Sequence, residues 1–327
     1  MVSTIRRAYV SPPTTSVVRT MKRVGALLGA VVMVVAALAV RGTFGGSDDG
    51  GAIAGGGSAD EVVCATGLDA GCDAVGARTE DAGDTADRLL APDGDLGGAW
   101  IVPAAWAELV IAERARLGLD AAFEIDGDPL ASSPVVLAIW SDRAGQLADL
   151  CGRTVDWGCL ADQQGVVLTN GDRVRVGAPP VGTATGLTVA AAQAAGLLGT
   201  SSFAANDFTG TFNSQASRLA TGQRDDPVTT MRTQGPGRLT AAGTTRADTI
   251  NLTSNFGDIT RVEDLTPAVR VDVVALVPTG SSLDGDTRRT IERVLVDIGW
   301  DAPGAGDDSL PAGGVLAALR TFWTENR

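Results

Sequence analysis

The chain is 327 residues long, with 26 basic and 39 acidic side chains, no histidine and four cysteines. Without histidine there is no Ser-His-Asp or Cys-His catalysis and no metal site that needs imidazole. The single lysine, Lys22, lies in the N-terminal tail, so the folded part has no Schiff-base or Walker-A lysine. Chemistry resting on carboxylates alone stays open.

Charge is unevenly placed. Residues 1–41 carry six basic and no acidic side chains, while residues 42–327 carry 20 basic and 39 acidic ones, a net −19. So acidic a body is repelled by phosphate backbones, which argues against nucleic acid as a partner. The first 23 residues read as a basic cytoplasmic tail. Val24 to Val40 is a run of 17 residues without a charge. At about 1.5 Å per residue it reaches roughly 25 Å, the short end for crossing a bilayer. Basic residues before it and acidic ones after it place the N-terminus in the cytoplasm. The run reads as a retained signal anchor, with a signal peptide cleaved after Ala37-Leu38-Ala39 as the alternative; Met21 is a second plausible start. No lipobox cysteine follows it. Residues 41–58 form a Gly/Ser-rich linker. The expected location is the cell membrane, single-pass, with the C-terminal domain outside the cytoplasm.

The cysteines fit export. Cys64 and Cys72 are eight apart, as are Cys151 and Cys159. Of the three possible pairings the two local ones are expected, each closing a loop worth about 2–3 kcal/mol by chain entropy. Neither pair has the short spacing of a zinc site.

From residue 59 onward, strand-like and helix-like segments alternate. Glu61–Thr66 reads as a strand. Thr85–Leu90 begins a helix with Asp84 as its cap. Ala99–Val102 is a short strand ending at Pro103. Ala104–Leu117 has helical periodicity. Pro134–Trp140 is a buried strand, and Ser141 caps a helix running to Leu150. Val174–Val176 is a short strand. Thr185–Leu198 is an Ala-rich, largely buried helix. Asp248–Thr253 and Val271–Val277 read as strands, Asp286–Ile298 and Gly314–Trp323 as helices. No repeat of 20–50 residues is present. This alternation argues an α/β protein with mainly parallel sheets. The apolar strands at 134–140 and 271–277 bracket a central region, as expected if the chain leaves one sheet, builds a second lobe and returns.

Several segments resemble the type 2 periplasmic solute-binding proteins, in particular actinobacterial membrane-tethered versions. Ser132-Ser133-Pro134-Val135-Val136-Leu137-Ala138 is similar to that family's first interlobe strand. Trp157–Gly165 and Val174–Leu187 resemble its loop before a small-residue helix. Val271–Gly280 resembles the returning strand. Ala99–Trp106 resembles a further segment but lacks the Asp that precedes it there. The resemblance implies a two-lobed α/β fold, with one lobe from 59–139 and 268–327 and the other from 140–267. It also implies a ligand-binding cleft, closure over a small molecule of unknown class, and a membrane permease or a von Willebrand A domain as partner.

Candidate cleft residues come from strand ends and helix N-termini, with Thr66 and the 183–186 loop placed at the cleft by the resemblance, and from the expected crossover, where hinge hydrogen bonding is the alternative for Ser132 and Ser133. The candidates are Thr66, Thr85, Ser132, Ser133, Thr183, Thr185, Gly186 and Thr253. Free N–H groups and hydroxyls at 183–186 suit an anion or a carboxylate. Trp100 and Trp106 read as packing rather than as an aromatic wall. Asp126-Gly-Asp128 and Asp284-Gly-Asp286 read as turns, with Asp286 capping a helix. The spacing Asp207-x-Thr209-x-Thr211 reads as a loop rather than a metal site, and the sequon at Asn251 is discounted because it falls in an expected strand. No catalytic residue, metal or cofactor is assigned. The alternatives are a ligand-sensing or envelope scaffold module with a degenerate cleft, and a carboxylate-dependent hydrolase.

Overall fold

The computed structural model describes residues 61–152, 154–223, 226–250, 260–302 and 310–326. The tail, the apolar run 24–40, the linker 41–58, Thr253 and the sequon at Asn251 lie outside the described residues. Among the described residues no helix is long and apolar enough to cross a membrane.

Strand β1 (Val62–Ala65) pairs in parallel with β2 (Arg78–Glu80) on one side and β3 (Ala99–Pro103) on the other. The short helix α1 (Asp69–Asp73) follows β1, α2 (Ala82–Leu89) follows β2, and α3 (Ala104–Arg116) follows β3. After β4 (Phe123–Ile125) comes the ten-residue β5 (Ala131–Trp140), buried along nearly its whole length. A continuous apolar run of this kind is what a strand covered on both faces requires.

β5 joins two groups of strands. Its first four residues pair antiparallel with β9 (Arg270–Pro278), which also pairs with β3 and β4. From Val135 onward it pairs antiparallel with β7 (Ala241–Thr245) on one side and β8 (Thr260–Asp264) on the other. A two-residue strand, β6 (Val176–Gly177), runs parallel to β7 at the edge. The order is β2-β1-β3-β9-β5-β7-β6, with β4 on β9 and β8 on β5. The sheets are therefore mixed rather than mainly parallel. Each strand that crosses between the two groups must return in the opposite sense, and hydropathy does not record direction.

The remaining helices are α4 (Ser141–Leu150), α5 (Trp157–Gln163), α6 (Gly186–Leu198), α7 (Thr211–Ala220), α8 (Pro227–Gln234), α9 (Gly285–Asp297) and α10 (Gly313–Glu325). α6 is Ala-rich and buried over its first ten residues, and it ends at Gly199, whose φ of 71° suits glycine. Its glycine Gly196 and Gly243 of β7 flank the buried Trp157 ring. A Cβ at Gly196 would sit 2.5 Å from Trp157 Cδ1, and one at Gly243 would sit 2.4 Å from Cη2. Both expected disulfides are formed, Cys64–Cys72 and Cys151–Cys159.

Three local expectations are corrected. Helix α2 begins at Ala82, because the Asp81 carboxylate, not Asp84, accepts the first free amides, with Gly83 N at 2.9 Å. α9 is capped by Asp284, which accepts from Asp286 N and Thr287 N, rather than by Asp286. Residues 246–250 are helical, not part of a strand from 248. Ser133 Oγ accepts from Ala247 N at 3.0 Å and anchors the start of this turn, overriding the strand preference of Thr249 and Ile250.

Candidate functional site

A cavity of about 650 Å³ opens between the two groups of strands. From the β1 side it is lined by Thr66, Gly67, Asp69 and Ala70, and by Ile298 and Trp300 just past α9. From the β7 side come Thr244, Ala247 and Asp248, and from α8 and its cap Asp226, Val228, Thr229 and Arg232. The loop Pro179–Thr185 before α6, less Val181 and Gly182, closes the wall. The volume is in the range of small-molecule sites.

The loop before α6 is held from behind. The fully buried Trp106 of α3 donates its indole N–H to the carbonyls of both Thr183, at 3.1 Å, and Ala184, at 3.0 Å. In a trans peptide the N–H points opposite to the C=O. The amides of Ala184 and Thr185 therefore point away from Trp106, toward the cavity side of the loop. Neither has an intramolecular acceptor among the described residues. Thr183 Oγ1 donates back to Pro180 O at 2.7 Å, which tightens the turn. Thr185 stands at the cap of α6 with no side-chain capping bond, so its hydroxyl is free among the described residues. Two free amides and one free hydroxyl thus sit at the positive end of a 13-residue helix.

The opposite wall carries mixed charge. Asp226 caps α8, accepting from Val228 N at 3.1 Å and Thr229 Oγ1 at 2.6 Å. Asp69 accepts from Gly67 N at 3.1 Å. Asp248 accepts from Thr244 Oγ1 at 3.0 Å. Burial pushes the Asp248 carboxyl above its ordinary range, against hydrogen bonds from Thr245 and Thr244, and Asp226 nearby pushes the same way. Arg232 is the cavity's only cation, is exposed, and makes no ion pair or hydrogen bond among the described residues. The cavity thus presents donors from the α6 end and from Arg232, beside carboxylates already engaged in local bonds.

Of the residues singled out from sequence, Thr66, Thr183 and Thr185 line this cavity. Gly186 sits just behind it. A Cβ there would lie 1.9 Å from Pro180 O, so glycine is needed for the close approach of the loop. The others lie elsewhere. Because α2 starts a turn earlier than expected, Thr85 is buried and donates to Glu80 Oε2 at 2.8 Å. Burial favours the protonated form of Glu80, but hydrogen bonds from Thr85 and Arg88 outweigh it and hold the carboxyl below its ordinary range. Ser132 is buried at the crossover, donating to Asp272 Oδ1 at 2.6 Å and accepting from Arg270 Nε at 2.8 Å. Ser133 holds the 246–250 turn. Trp100 and Trp106 are both fully buried, and neither forms a wall. Asp207 accepts from Ala204 N within a 3₁₀ turn, as a loop residue does.

Asp69, Asp226, Thr229, Arg232, Thr244, Asp248 and Trp300 are cavity residues that sequence reasoning missed. The Asp226-Pro227 pair, a cap followed by proline at the first helical position, is the one signal that could have placed α8. No comparable signal marks Asp248 or Trp300.

Iron-bound HitA from Pseudomonas aeruginosa superposes with a TM-score of 0.50 at 14% identity, over 81% of this chain and 98% of that one. The chain has the type 2 periplasmic solute-binding-protein fold. The periplasmic binding protein AfuA from Actinobacillus pleuropneumoniae, with fructose-6-phosphate bound, matches at 14% identity and a TM-score of 0.49, over 81% of this chain and 97% of that one. A ferric binding protein from Campylobacter jejuni matches at 11% identity and a TM-score of 0.49, over 81% and 96%. No protein-family model and no curated protein matches the sequence. In this fold the cavity lies between the two strand groups that β5 joins.

Proposed function

We propose that the chain is an extracytoplasmic solute-binding protein that closes its two strand groups over a small anionic ligand. The observation that carries the reading is the pair of unpartnered amides, Ala184 and Thr185, held toward the cavity by Trp106 and accompanied by the free Arg232. A carboxylate or another compact oxyanion gains charge-assisted hydrogen bonds from such a donor set. Hydroxyls of Thr66, Thr185 and Thr229 offer polar contacts to the rest of the ligand. The groups move about the β5 crossover, beside the start of β9, where Ser132 bonds to both Asp272 and Arg270. In this proposal residues 24–40 hold the protein at the outer face of the membrane, and a permease receives the loaded form.

Iron, named with two of these neighbours, suits this cavity poorly. A hard cation needs a cluster of anionic oxygen or imidazole donors. The chain has no histidine, its single tyrosine is Tyr9, and no group of three or more His, Cys, Asp or Glu able to hold an ion is found among the described residues.

A second reading, a membrane-tethered ligand sensor, is favoured by one feature. The Gly-rich linker follows an apolar run that lacks a lipobox cysteine. Both readings require ligand in the cavity. A thermal-shift screen of oxyanions, amino acids, sugars and peptides on the full chain tests that requirement. At 100 times its dissociation constant a ligand adds about 2.7 kcal/mol of stability. One anionic class raising the melting temperature is the expected result; no class doing so would sink the proposal.

A further inference from the structure

A second concavity, of about 280 Å³, lies on the β6 edge of the fold. Its lining includes Gln164, Arg175, Thr221, Thr230 and Arg238, over an apolar floor formed by Val176, Pro227 and Leu239. Unlike the interlobe cavity, its lining has two guanidiniums and no carboxylate among the described residues. That contrast stands out in a body whose residues 42–327 carry 39 acidic against 20 basic side chains.

The free polar atoms here are mostly donors. Gln164 uses its carbonyl oxygen to accept from Val176 N at 3.1 Å, which fixes the amide and leaves its NH₂ unpartnered among the described residues. Arg175 is steadied by one bond, from Nη1 to Gly237 O at 3.0 Å, leaving its other N–H groups available. Its backbone is fixed as well. Thr240 Oγ1 accepts from Arg175 N and donates to Arg173 O, both at 3.1 Å. Arg238 is exposed, and its side chain has no partner among the described residues. The described carboxylates near these residues in the chain are engaged elsewhere: Asp162 accepts from Gln215, Asp172 pairs with Arg143, Asp248 accepts from Thr244, and Asp226 accepts from Val228 N and Thr229 Oγ1.

The walls are built closely. A Cβ on Gly177 would sit 2.7 Å from Leu239 Cδ1, and one on Gly222 would sit 2.1 Å from Val176 O. These glycines allow β6, the end of α7 and the start of α8 to meet. Gln223, next to Gly222, is fully buried with both amide atoms unpartnered among the described residues, so this region retains unused hydrogen-bonding capacity.

We infer that this pocket is a second binding site, for a small molecule bearing a compact oxyanion. Arg175 and Arg238 supply the charge, the Gln164 amide a neutral donor, and the Val176–Pro227–Leu239 floor a surface for an apolar portion. The volume, at the low end for ligand sites, limits the occupant to a small one. The inference does not depend on what the interlobe cavity binds.

The test is equilibrium titration of the full chain with inorganic phosphate, sulfate and citrate, which separates the oxyanion sources. The variants are Arg175→Gln, Arg238→Gln, Arg238→Glu and the double glutamine, with Arg232→Gln as the control in the other cavity. Arg238 makes no structural bond, so its variants keep the fold, checked by an unchanged melting temperature. The expected result is saturable binding of at least one probe that Arg232→Gln leaves intact. That binding weakens about tenfold in each single glutamine variant and disappears in Arg238→Glu and in the double variant. Absence of saturable binding by all three probes overturns the inference. So does binding that the double variant leaves unchanged, or binding lost with Arg232→Gln alone.

Discussion

Replacing Trp106 by phenylalanine tests the part of the site that geometry defines most sharply. The indole N–H is shared between the carbonyls of Thr183 and Ala184, at 3.1 and 3.0 Å. Phenylalanine keeps most of the buried ring but removes the donor and leaves these carbonyls short of a partner, at a cost of about 1–3 kcal/mol. The smaller ring adds a cavity term, bringing the loss to about 3 kcal/mol. For a domain of this size that lowers the melting temperature by roughly 6–12 °C. Trp100→Phe is the matched control. Trp100 is equally buried, but its indole N–H has no partner among the described residues, so the same truncation costs packing without a hydrogen bond. The loop effect is read separately. With its carbonyls released, the 183–185 segment no longer holds the amides of Ala184 and Thr185 toward the cavity. Affinity for the anion identified by screening then drops about five- to tenfold, the worth of roughly one neutral hydrogen bond. Calorimetric unfolding and titration on both variants supply the numbers. If Trp106→Phe loses no more stability than Trp100→Phe, or binds as tightly as wild type, the positioning role assigned to Trp106 is wrong.

The two disulfides have equal loops and different surroundings. Cys64–Cys72 encloses Thr66, Gly67, Asp69 and Ala70, all in the cavity wall, whereas no described residue of the Cys151–Cys159 loop lines it. Replacing either pair with alanine should cost about 2–3 kcal/mol, and only Cys64→Ala/Cys72→Ala should also weaken ligand binding; equal affinities in the two variants would contradict this. The raised Asp248 carboxyl has a definite sign. The folded state keeps this proton at a pH where the unfolded chain has lost it, so the contribution of Asp248 to stability declines as pH rises from the ordinary carboxylate range through the folded-state value. Denaturant titrations across pH should show Asp248→Asn lacking that decline and more stable than wild type at neutral pH, and parallel curves for the two proteins would refute it. Gly243→Ala should destabilise by about 1–3 kcal/mol, because its Cβ would lie 2.4 Å from the Trp157 ring. A melting temperature within a degree of wild type would show that Trp157 has room to move.

The sequence revealed elements where apolar periodicity was long and capping clear. The residues of α3, β5, α6, β9 and α10 were located within a few positions, because each buries a continuous face. The strands β2 and β4 have three residues each, too few for a period, and β7 reads Ala-Ala-Gly-Thr-Thr, with little strand preference. Strand direction was not legible, since parallel and antiparallel partners of a buried strand share the same hydropathy. In the site, Thr66, Thr183 and Thr185 could be found because the end of a strand and the start of a helix leave open backbone groups. Arg232, Asp248 and Trp300 could not. They come to the cavity from α8, from the turn after β7 and from the end of α9, elements that only the tertiary fold brings together, and nothing local marks them as site residues. Thr85 misled because its helix starts three residues earlier, which turns its hydroxyl inward to Glu80.

The central claim is that the cavity between the strand groups binds an anion through the α6 end and Arg232. Calorimetric titration of the screened ligand is its most direct test, performed in an Arg175→Gln/Arg238→Gln background so that only this cavity responds. One site per chain is expected, about tenfold weaker after Arg232→Gln and weaker again when Thr183→Ala and Thr185→Ala are added. Binding of undiminished affinity in all of these variants would contradict it.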